Sequence, residues 1–292
     1  MINREQLEVR AQRARSSALV AIHAAGSGHP GGVLSALDII NYLAMHALDW
    51  HAYDAQDQTR SRFVLSKGHA CPALYAVAAE EGLVSYQDLT TLRKLGSPLQ
   101  GHTCVNTTPW AEANTGSLAQ GFSVAVGMAL GYRYQSIARP VYCMLGDGEL
   151  QEGQVWEGAM CAAHYDLRNL CVFVDYNKMQ SDEKVARIMG LEPLADKWRA
   201  WNWRVVEIDG HDYQQIHQAV NQSGEGPLVI IAHTLKGRGV SYMEGSPLWH
   251  GSVKLSDEQL KDALIELNIP KHTQERYFEH AVWAPEEHGY DS

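Results

Sequence analysis

Five short apolar runs, separated by helix-like segments, most constrain the fold of this chain. They read RFVLS (62–66), VYCML (141–145), LCVFV (170–174), RVVEI (204–208) and LVIIA (228–232). Each run is continuous rather than alternating, which is typical of strands buried on both faces of a sheet. Strands that alternate with helices predict an α/β fold, with a parallel β-sheet and helices on both faces.

Helical patterns occupy the segments between these runs. Asn3 can cap a first helix, with Gln6 completing a capping box, and this helix should end at Gly26. Further helices are predicted over 35–50, 72–83, 117–135 and 152–166. The last stretch, 271–292, shows no clear period, so we expect one domain over 1–270 followed by a C-terminal tail over 271–292.

Composition and charge argue against several classes of protein. The 292 residues are 45% hydrophobic and 20% charged, which suits a globular chain with a sizeable core. A net charge of −10 without a basic run argues against a nucleic-acid or anionic-membrane surface. The sequence has no membrane-length apolar stretch and no signal-peptide pattern. Five cysteines without a CxxC motif favour reduced thiols in a cytoplasmic protein.

The apolar runs end in polar or glycine residues, namely SKGH, GDG, DYN, DGHD and HT. In an open parallel sheet, ligands bind at the carboxyl ends of the strands, so the chemistry should lie along that edge. The second run delivers Asp147 between two glycines, and the third ends near Asn177. A strand–helix–strand unit therefore predicts that both side chains lie on the same edge of the sheet.

A carboxylate and an amide oxygen held together suit Mg²⁺, which takes one or two protein oxygens and completes its shell with phosphate and water. Backbone N–H groups of the turn and of the helix that follows favour an anion beside the metal. A phosphate-binding P-loop is excluded because Gln154, not lysine, follows Gly153, and this turn has no dinucleotide-binding GxGxxG motif. The pattern favours a metal–diphosphate site over a solvated Asp-Gly turn.

The stretch GDGELQEGQVWEGAMCAAHYDLRNLCVFVDYNK resembles the thiamine diphosphate motif, in which GDG is followed at a fixed spacing by asparagine. Other stretches resemble the amino-terminal half of transketolases, most closely the version that is split into two chains. These are GSGHPGG (26–32), LSKGHACPALYA (65–76), GHT (101–103), NTGSLAQGFSVAVGMA (114–129) and KGRGVSYMEGSPLWHG (236–251). The resemblance runs from about residue 5 to 265 and implies the diphosphate-binding domain of the thiamine diphosphate-binding fold.

The resemblance implies a ligand set for the metal and the cofactor. Mg²⁺ or Ca²⁺ would be bound by Asp147, Asn177 and the backbone carbonyl of Met179. Thiamine diphosphate would contact His69, Gly116, Ser117, Leu118, Gly148, Glu149, Asn177 and His250. Ser117 replaces the usual proline, and Ser181 and Glu183 depart from the commoner form of the loop after Asn177. Glu152 matches a glutamate that couples the two active sites across the subunit interface.

Four histidines match the catalytic histidines of that family: His29, His69, His102 and His250. A ketose presents hydroxyl groups to be bound, and its C3 hydroxyl must lose a proton as the C2–C3 bond breaks, which are tasks that histidine can perform. His29 and His250 are the preferred candidates for proton transfer. The remaining histidines are expected on the surface or in satisfied interior positions, although His211 and His233, at strand ends, could border the site. Lys236 and Arg238 could either meet a phosphate or form a solvated basic loop.

The resemblance also implies what this chain lacks. The glutamate that activates the cofactor belongs to a pyrimidine-binding domain, which we expect on a separate subunit, with a dimer of such pairs as the assembly. The predicted function is transfer of a two-carbon ketol unit from a phosphorylated or sulfonated ketose to an aldose, in carbohydrate metabolism of the pentose phosphate type. Alternatives are the α subunit of a 2-oxoacid dehydrogenase, a deoxyxylulose-phosphate synthase, or a non-catalytic cofactor-binding scaffold.

Overall fold

The computed structural model describes residues 2–50, 57–181 and 183–285. Its central feature is a five-stranded parallel sheet with the strand order β1-β2-β3-β7-β6. The strands are β1 (Arg62–Leu65), β2 (Val141–Gly146), β3 (Leu170–Tyr176), β6 (Arg204–Asp209) and β7 (Leu228–His233). A short antiparallel ribbon of β4 (Met179–Gln180) and β5 (Glu183–Lys184) follows β3.

Helices cover both faces of this sheet. Because successive strand residues point to opposite faces, Tyr142 and Met144 of β2 join one apolar core, whereas Cys143 and Leu145 join the other. The first core includes residues of α1 (Arg4–Ala25), α2 (Pro30–His46), α3 (Cys71–Glu80), α4 (Tyr86–Leu89), α9 (Tyr213–Val220), α10 (Asp257–Glu266) and α11 (Lys271–His280). The second includes residues of α5 (Gln120–Tyr134), α6 (Gly153–His164), α7 (Val185–Ile188) and α8 (Leu194–Ala200). The predicted α/β architecture is confirmed.

The ends of the first helix follow the predicted signals. The Asn3 side chain accepts a hydrogen bond from the backbone N–H of Gln6 at 3.1 Å, and Gly26 ends α1 with a φ of 68°. Glycine adopts this left-handed conformation without steric cost, which lets the chain turn at once into the loop before α2. This loop carries His29 to the carboxyl edge of the sheet.

The prediction that all five runs are buried on both faces is wrong for RVVEI. Among the residues of β6, Ile208 alone is buried, and Glu207 and Asp209 are exposed. The strand β6 lies at an edge of the sheet and pairs with β7 alone. Edge position by itself does not expose a strand, because β1 lies at the opposite edge and Phe63, Val64 and Leu65 are buried there. A continuous apolar run therefore does not by itself show that both faces of a strand are covered.

The stretch expected to be a tail contains the helix α11, and it packs against the domain. The Trp283 side chain is 1% exposed, and its indole N–H donates to the Ser17 hydroxyl at 2.9 Å. The buried Tyr277 hydroxyl lies 2.7 Å from His23 Nδ1. The helix α11 has only two large apolar residues, the adjacent Tyr277 and Phe278. Two neighbouring positions are too few to show a helical period in the sequence. Residues 286–292, which include His288, lie outside the described part of the chain, as does His51.

Two expectations from composition agree with the structure. All five cysteines are unpaired, and Cys71, Cys143 and Cys171 are buried. Within the described residues, no helix has both the length and the apolar character required to cross a membrane.

Replacement of Trp283 by alanine should lower the free energy of unfolding by about 3 kcal/mol or more, because a buried indole and its hydrogen bond are lost. Denaturant unfolding of the purified chain measures this change. The matched control is Val282→Ala at the neighbouring, 37% exposed position, where a change within about 0.5 kcal/mol is expected. Equal effects at the two positions would contradict the docking of this segment.

Candidate active site

A cleft of about 410 Å³ opens at the carboxyl edge of the sheet. It lies between the loops that follow β1, β2, β3 and β7 and the loop between α1 and α2. Ten of the residues predicted for the site line it, namely His29, His69, His102, Leu118, Asp147, Gly148, Glu149, Asn177, Met179 and His250. A cleft of this size fits a cofactor or small ligand.

Gly116 and Ser117 lie just outside the lining. The Ser117 side chain is exposed, and Leu118 reaches the cleft in its place. Gly116 has a φ of 151°, and a β-carbon there would lie 3.4 Å from the His102 ring. Glycine at 116 therefore lets the loop before α5 pass close to His102.

Asp147 and the loop after Asn177 are joined directly. One Asp147 carboxylate oxygen accepts a hydrogen bond from the backbone N–H of Gly148 at 2.8 Å, and the other accepts from Lys178 N–H at 2.5 Å. Because Lys178 directly follows Asn177, this contact holds the ends of β2 and β3 together. A β-carbon at Gly148 would lie 3.0 Å from Cβ of Gln180, so any larger residue at 148 would crowd the loop after β3.

The donors at this point fit a hard divalent cation. Asp147 and Asn177 offer side-chain oxygens, and the backbone carbonyl of Met179 lies on the same cleft wall. Among the described residues, no group of three or more His, Cys, Asp and Glu side chains could bind a metal alone. A cation here would therefore need phosphate or water oxygens to complete its shell, which is the usual behaviour of Mg²⁺.

The electrostatics of Asp147 also favour a cation. The carboxyl group is buried, and its two oxygens accept hydrogen bonds from two different backbone N–H groups. Burial, and next the charge of Asp175, raise the pKa of Asp147 to about 7. A bound cation would favour the ionised form of this carboxyl group and lower its pKa.

Glu149 faces inward rather than toward a ligand. Its carboxylate accepts hydrogen bonds from the Ser66 hydroxyl at 2.5 Å, from Ala119 N–H at 2.7 Å and from Gly146 N–H at 3.0 Å. Ser66 and Ala119 belong to the loops after β1 and before α5, and Gly146 is the last residue of β2. Glu149 therefore holds three walls of the cleft in register, and only its backbone is free to approach a ligand.

A buried ion pair supports the floor of the cleft. The Lys67 ammonium contacts the Asp175 carboxylate and donates to the carbonyl of Gly32 at 3.1 Å. The hydroxyls of Ser35 and Thr234 also donate to Asp175. Burial alone would raise the pKa of Asp175, but Lys67 and the hydroxyl donors hold it below its usual value. The pair joins α2, β3 and the loops after β1 and β7.

Three of the predicted histidines form a compact group. The ring centroid of His69 lies 5.2 Å from that of His29 and 5.6 Å from that of His250, and His29 and His250 are 6.1 Å apart. Burial is the main cause that lowers the pKa of His29 to about 4 and that of His250 to about 3. The imidazoles are therefore neutral near pH 7 and can accept protons.

Lys236 sets the proton position on His250. Its ammonium contacts His250 Nδ1 and lies 3.4 Å from the Met179 carbonyl oxygen. Burial lowers the pKa of Lys236 to about 8, so it remains mostly protonated at pH 7 and must donate. His250 Nδ1 then accepts, which leaves the ring proton on Nε2 as a donor for a ligand.

The loop that carries Lys236 is held by a residue outside the cleft. His211 Nε2 accepts from the backbone N–H of Leu235 at 2.8 Å, and its Nδ1 lies 2.7 Å from the buried carboxylate of Asp38. This arrangement fixes the proton on Nδ1. His211 thus supports the site from behind, whereas His233 pairs with Glu207 at 3.1 Å away from the cleft.

Several residues that line or support the cleft had no predicted role. Asp175 lies inside the third strand, Lys67 follows the first, and both look structural in the sequence. For Lys236 the sequence allowed two interpretations, a contact with a phosphate or a place in a solvated basic loop. It is buried in the cleft, whereas Arg238 is exposed.

Gln151 and Gln180 form a further unpredicted contact. Their amide groups exchange hydrogen bonds at 2.6 and 3.1 Å beside Ser181. The only available signal was the departure of this loop from the commoner pattern.

Comparison with known sequences identifies similar proteins over nearly the whole chain. The family described as "Transketolase, thiamine diphosphate binding domain" matches residues 6–270. The chain is 41% identical over 264 residues to the 6-deoxy-6-sulfo-D-fructose transketolase subunit SqwG of Clostridium sp. (strain MSTE9), covering 89% of this chain and 96% of that protein. It is 35% identical over 267 residues to an apulose-4-phosphate transketolase subunit of Phocaeicola vulgatus, covering 90% of this chain and 94% of that protein.

Solved structures agree with the sequence comparison. The transketolase of Campylobacter jejuni superposes with a TM-score of 0.85 at 29% identity, covering 94% of this chain and 46% of that one. The chain thus spans about half the length of that transketolase, but nearly the full length of the two subunits named above.

Replacement of Lys67 by methionine should lower the free energy of unfolding by about 3 kcal/mol or more, because Asp175 would remain buried without its cation. The double variant Lys67→Met/Asp175→Asn should recover at least about 1 kcal/mol of this loss, since the unpaired charge is also removed. Denaturant unfolding measures both values. Lys254→Met, at an exposed position, is the control. Simple additivity of the two substitutions would show that Lys67 and Asp175 are not coupled.

Proposed function

Because the chain belongs to the transketolase family through its thiamine diphosphate binding domain, we propose that it is the diphosphate-binding subunit of a two-chain transketolase. In this proposal residues 1–270 form the cofactor-binding domain. The two relatives that match over nearly their whole length are both named as transketolase subunits. The group of histidines in the cleft suits the hydroxyl chemistry of a sugar substrate.

The observation that carries the proposal is the joined pair of loops at Asp147 and Asn177. We propose that Asp147, Asn177 and the Met179 carbonyl would hold Mg²⁺, and that this ion would favour the binding of a diphosphate by offering it a positive charge. The burial of Asp147 and its two backbone hydrogen bonds support this role, because they orient the carboxylate before any ligand binds. The five cysteines, all unpaired, suit the cytoplasmic location that we include in the proposal.

The diphosphate itself would lie between the backbone of Gly148 and the cationic side of the cleft. Lys236 supplies a buried positive charge there, and His250 supplies the Nε2–H donor. His69, in ring contact with both His29 and His250, would lie against the same end of the cofactor. Thiamine diphosphate supplies the carbanion chemistry when it is bound, and the protein supplies orientation and proton transfer.

His29 is the preferred base for the C3 hydroxyl of a ketose. Its ring is neutral near pH 7, and its Nδ1 is buried without a partner in the described part of the chain. A neutral imidazole can accept the proton as the C2–C3 bond breaks and return it to the acceptor aldose. His102, across the loop at Gly116, would hold the hydroxyls of the transferred two-carbon unit.

A separate subunit would complete the site. The two buried carboxylates of the cleft are already engaged, Asp147 with backbone donors and Glu149 with three donors of the surrounding loops. The described lining therefore offers no buried acid to activate the aminopyrimidine ring. We propose a pyrimidine-binding partner that supplies this glutamate, in a dimer of heterodimers with Glu152 near the subunit interface.

The proposed substrates are anionic ketoses. The two relatives are named for 6-deoxy-6-sulfo-D-fructose and apulose-4-phosphate, which share a two-carbon ketol group and a charged substituent at the far end. The histidine group of this chain would contact the ketol end. Much of the far end would be recognised by the partner subunit, so the choice among sulfonated and phosphorylated sugars depends on that chain.

Replacement of Asp147 by asparagine should weaken binding of thiamine diphosphate in the presence of Mg²⁺ by at least about tenfold, because the shape is kept while the charge on the metal ligand is lost. Calorimetric titration of the assembled complex measures this affinity. Asp209→Asn is the matched control, because Asp209 is an exposed aspartate at the carboxyl end of β6. Unchanged affinity in Asp147→Asn would remove the basis of the proposed metal site.

Ketol transfer should require two different polypeptides. Purified chain mixed with thiamine diphosphate, Mg²⁺, a ketose and an aldose should show no transfer, and addition of the pyrimidine-binding subunit should restore it, because the activating acid then enters the site. The readout is chromatographic detection of the new ketose. Transfer by this chain alone would refute the two-chain proposal.

A further inference from the structure

Arg93 lies between two loops that carry candidate catalytic histidines. Its Nη1 donates to the Ser27 hydroxyl at 2.8 Å, two residues before His29. On the other side, the Arg93 side chain packs against Gly101, which precedes His102. If residue 101 had a β-carbon, that atom would lie only 2.7 Å from Arg93 Nε. The backbone N–H of Arg93 donates to the Leu99 carbonyl at 2.9 Å, which closes the turn that leads to Gly101.

The backbone conformation of Arg93 is unusual. Its φ of 61° lies in the left-handed region, which a long side chain seldom adopts. Such a conformation costs free energy and persists only where the surrounding structure holds it. Here the conformation directs the guanidinium group into the gap between the Ser27–His29 loop and the Gly101–His102 loop.

The guanidinium group is not neutralised by a carboxylate. Across residues 2–50, 57–181 and 183–285, no ion pair includes Arg93, and its buried Nε has no hydrogen-bond partner. The cations of α1 differ, because Arg10, Arg13 and Arg15 each pair with an acid. Arg93 therefore presents its full positive charge to the histidines on either side.

The charge of Arg93 acts on both imidazoles. After burial, Arg93 is the strongest influence that lowers the pKa of His29, and the same holds for His102. The other groups around His29 are His69 and His250 in ring contact, and His102, Lys236 and Lys67 at longer range. Of these groups, His102, Lys236 and Lys67 also disfavour the charged form of His29, but none of the three links the two loops.

We propose that Arg93 is a positioning residue that locks the His29 and His102 loops together and presents one fixed positive charge to both imidazoles. Its role in catalysis rests on the proposed ketol transfer. A neutral His29 can accept the proton of a substrate hydroxyl, whereas a protonated His29 cannot. Arg93 would thus keep the enzyme active toward lower pH, although it does not itself contact the substrate.

The first experiment titrates the histidines directly. Selectively labelled imidazole carbons are followed by NMR from about pH 2.5 to pH 8, so that the range spans the low pKa of His29. The signals are assigned by their loss in His29→Asn and His102→Asn. In Arg93→Gln the pKa of His29 should rise by at least about 0.5 unit, because a nearby cation that disfavours protonation is removed. The pKa of His102 should rise as well. Lys94→Gln, which removes an exposed charge at the adjacent position, should change neither.

The second experiment measures kcat/KM against pH for the complex with its partner subunit. Activity that needs neutral His29 is lost as the pH falls through the His29 pKa, and this loss forms the acid limb of the plot of kcat/KM against pH. In Arg93→Gln the acid limb should move to higher pH by as much as the His29 pKa rises in the NMR titration. Arg93→Lys, which keeps the charge, should retain the wild-type limb. Ser27→Ala keeps the charge of Arg93 but removes its hydrogen bond to residue 27. This variant should therefore lower kcat/KM by about fivefold without moving the acid limb.

The outcomes separate this inference from the proposed function. Unchanged His29 and His102 titrations in a folded Arg93→Gln variant would overturn the inference, whatever the complex catalyses. A moved acid limb in Ser27→Ala together with an unmoved limb in Arg93→Gln would also overturn it. Absence of ketol transfer in the wild-type complex, with the expected shifts in the NMR titration, would instead refute the proposed function and leave the electrostatic role of Arg93 intact.

Discussion

The site depends on one contact between neighbouring strands, in which a buried carboxylate oxygen of Asp147 accepts the backbone N–H of Lys178. This bond holds the turn after β2 against the loop after β3, and so it places Asn177 and Met179 beside the carboxylate. A backbone donor orients Asp147 without neutralising it. Burial and Asp175 consequently leave it with a pKa near 7, an unfavourable state that a divalent cation would relieve.

Near this carboxylate the cleft holds a cation that no acid pairs with among the described residues, although the whole chain carries a net charge of −10. Lys67 is compensated by Asp175, but Lys236 contacts only a neutral imidazole and a backbone carbonyl among its described polar neighbours. Arg93 lies behind the histidines without an acid in the described part of the chain. Lys236 and Arg93 favour an anionic ligand over a neutral one at their end of the cleft, and the phosphate oxygens of a metal-bound diphosphate would be such a ligand. The acidic surface elsewhere disfavours unrelated polyanions.

Much of this arrangement could be predicted from the sequence, because residues that directly follow neighbouring parallel strands lie close together at one edge of the sheet. Asp147 and Asn177 are each the first residues after buried strands that are neighbours in the sheet, so their common position followed from pattern alone. Lys67 and Asp175 could not be found in this way, since Asp175 interrupts an apolar strand and its partner lies 108 positions away. The same limit applies to β6, because its apolar run does not show how much of the strand other elements cover. The docking of Trp283 on Ser17 is equally non-local.

The division of labour within the site also has a physical reason. The walls of the cleft are fixed by groups that point away from it: Glu149 holds three loops, and His211 holds the loop of Lys236. Burial keeps the inward-facing imidazoles neutral. Such a surface binds and orients an anionic cofactor well, but it contains no uncommitted buried acid among the described lining residues. A further carboxylate at this place would pair with Lys236 and compete with an anionic ligand for its charge, which is a physical reason for the absence of such an acid from the described lining.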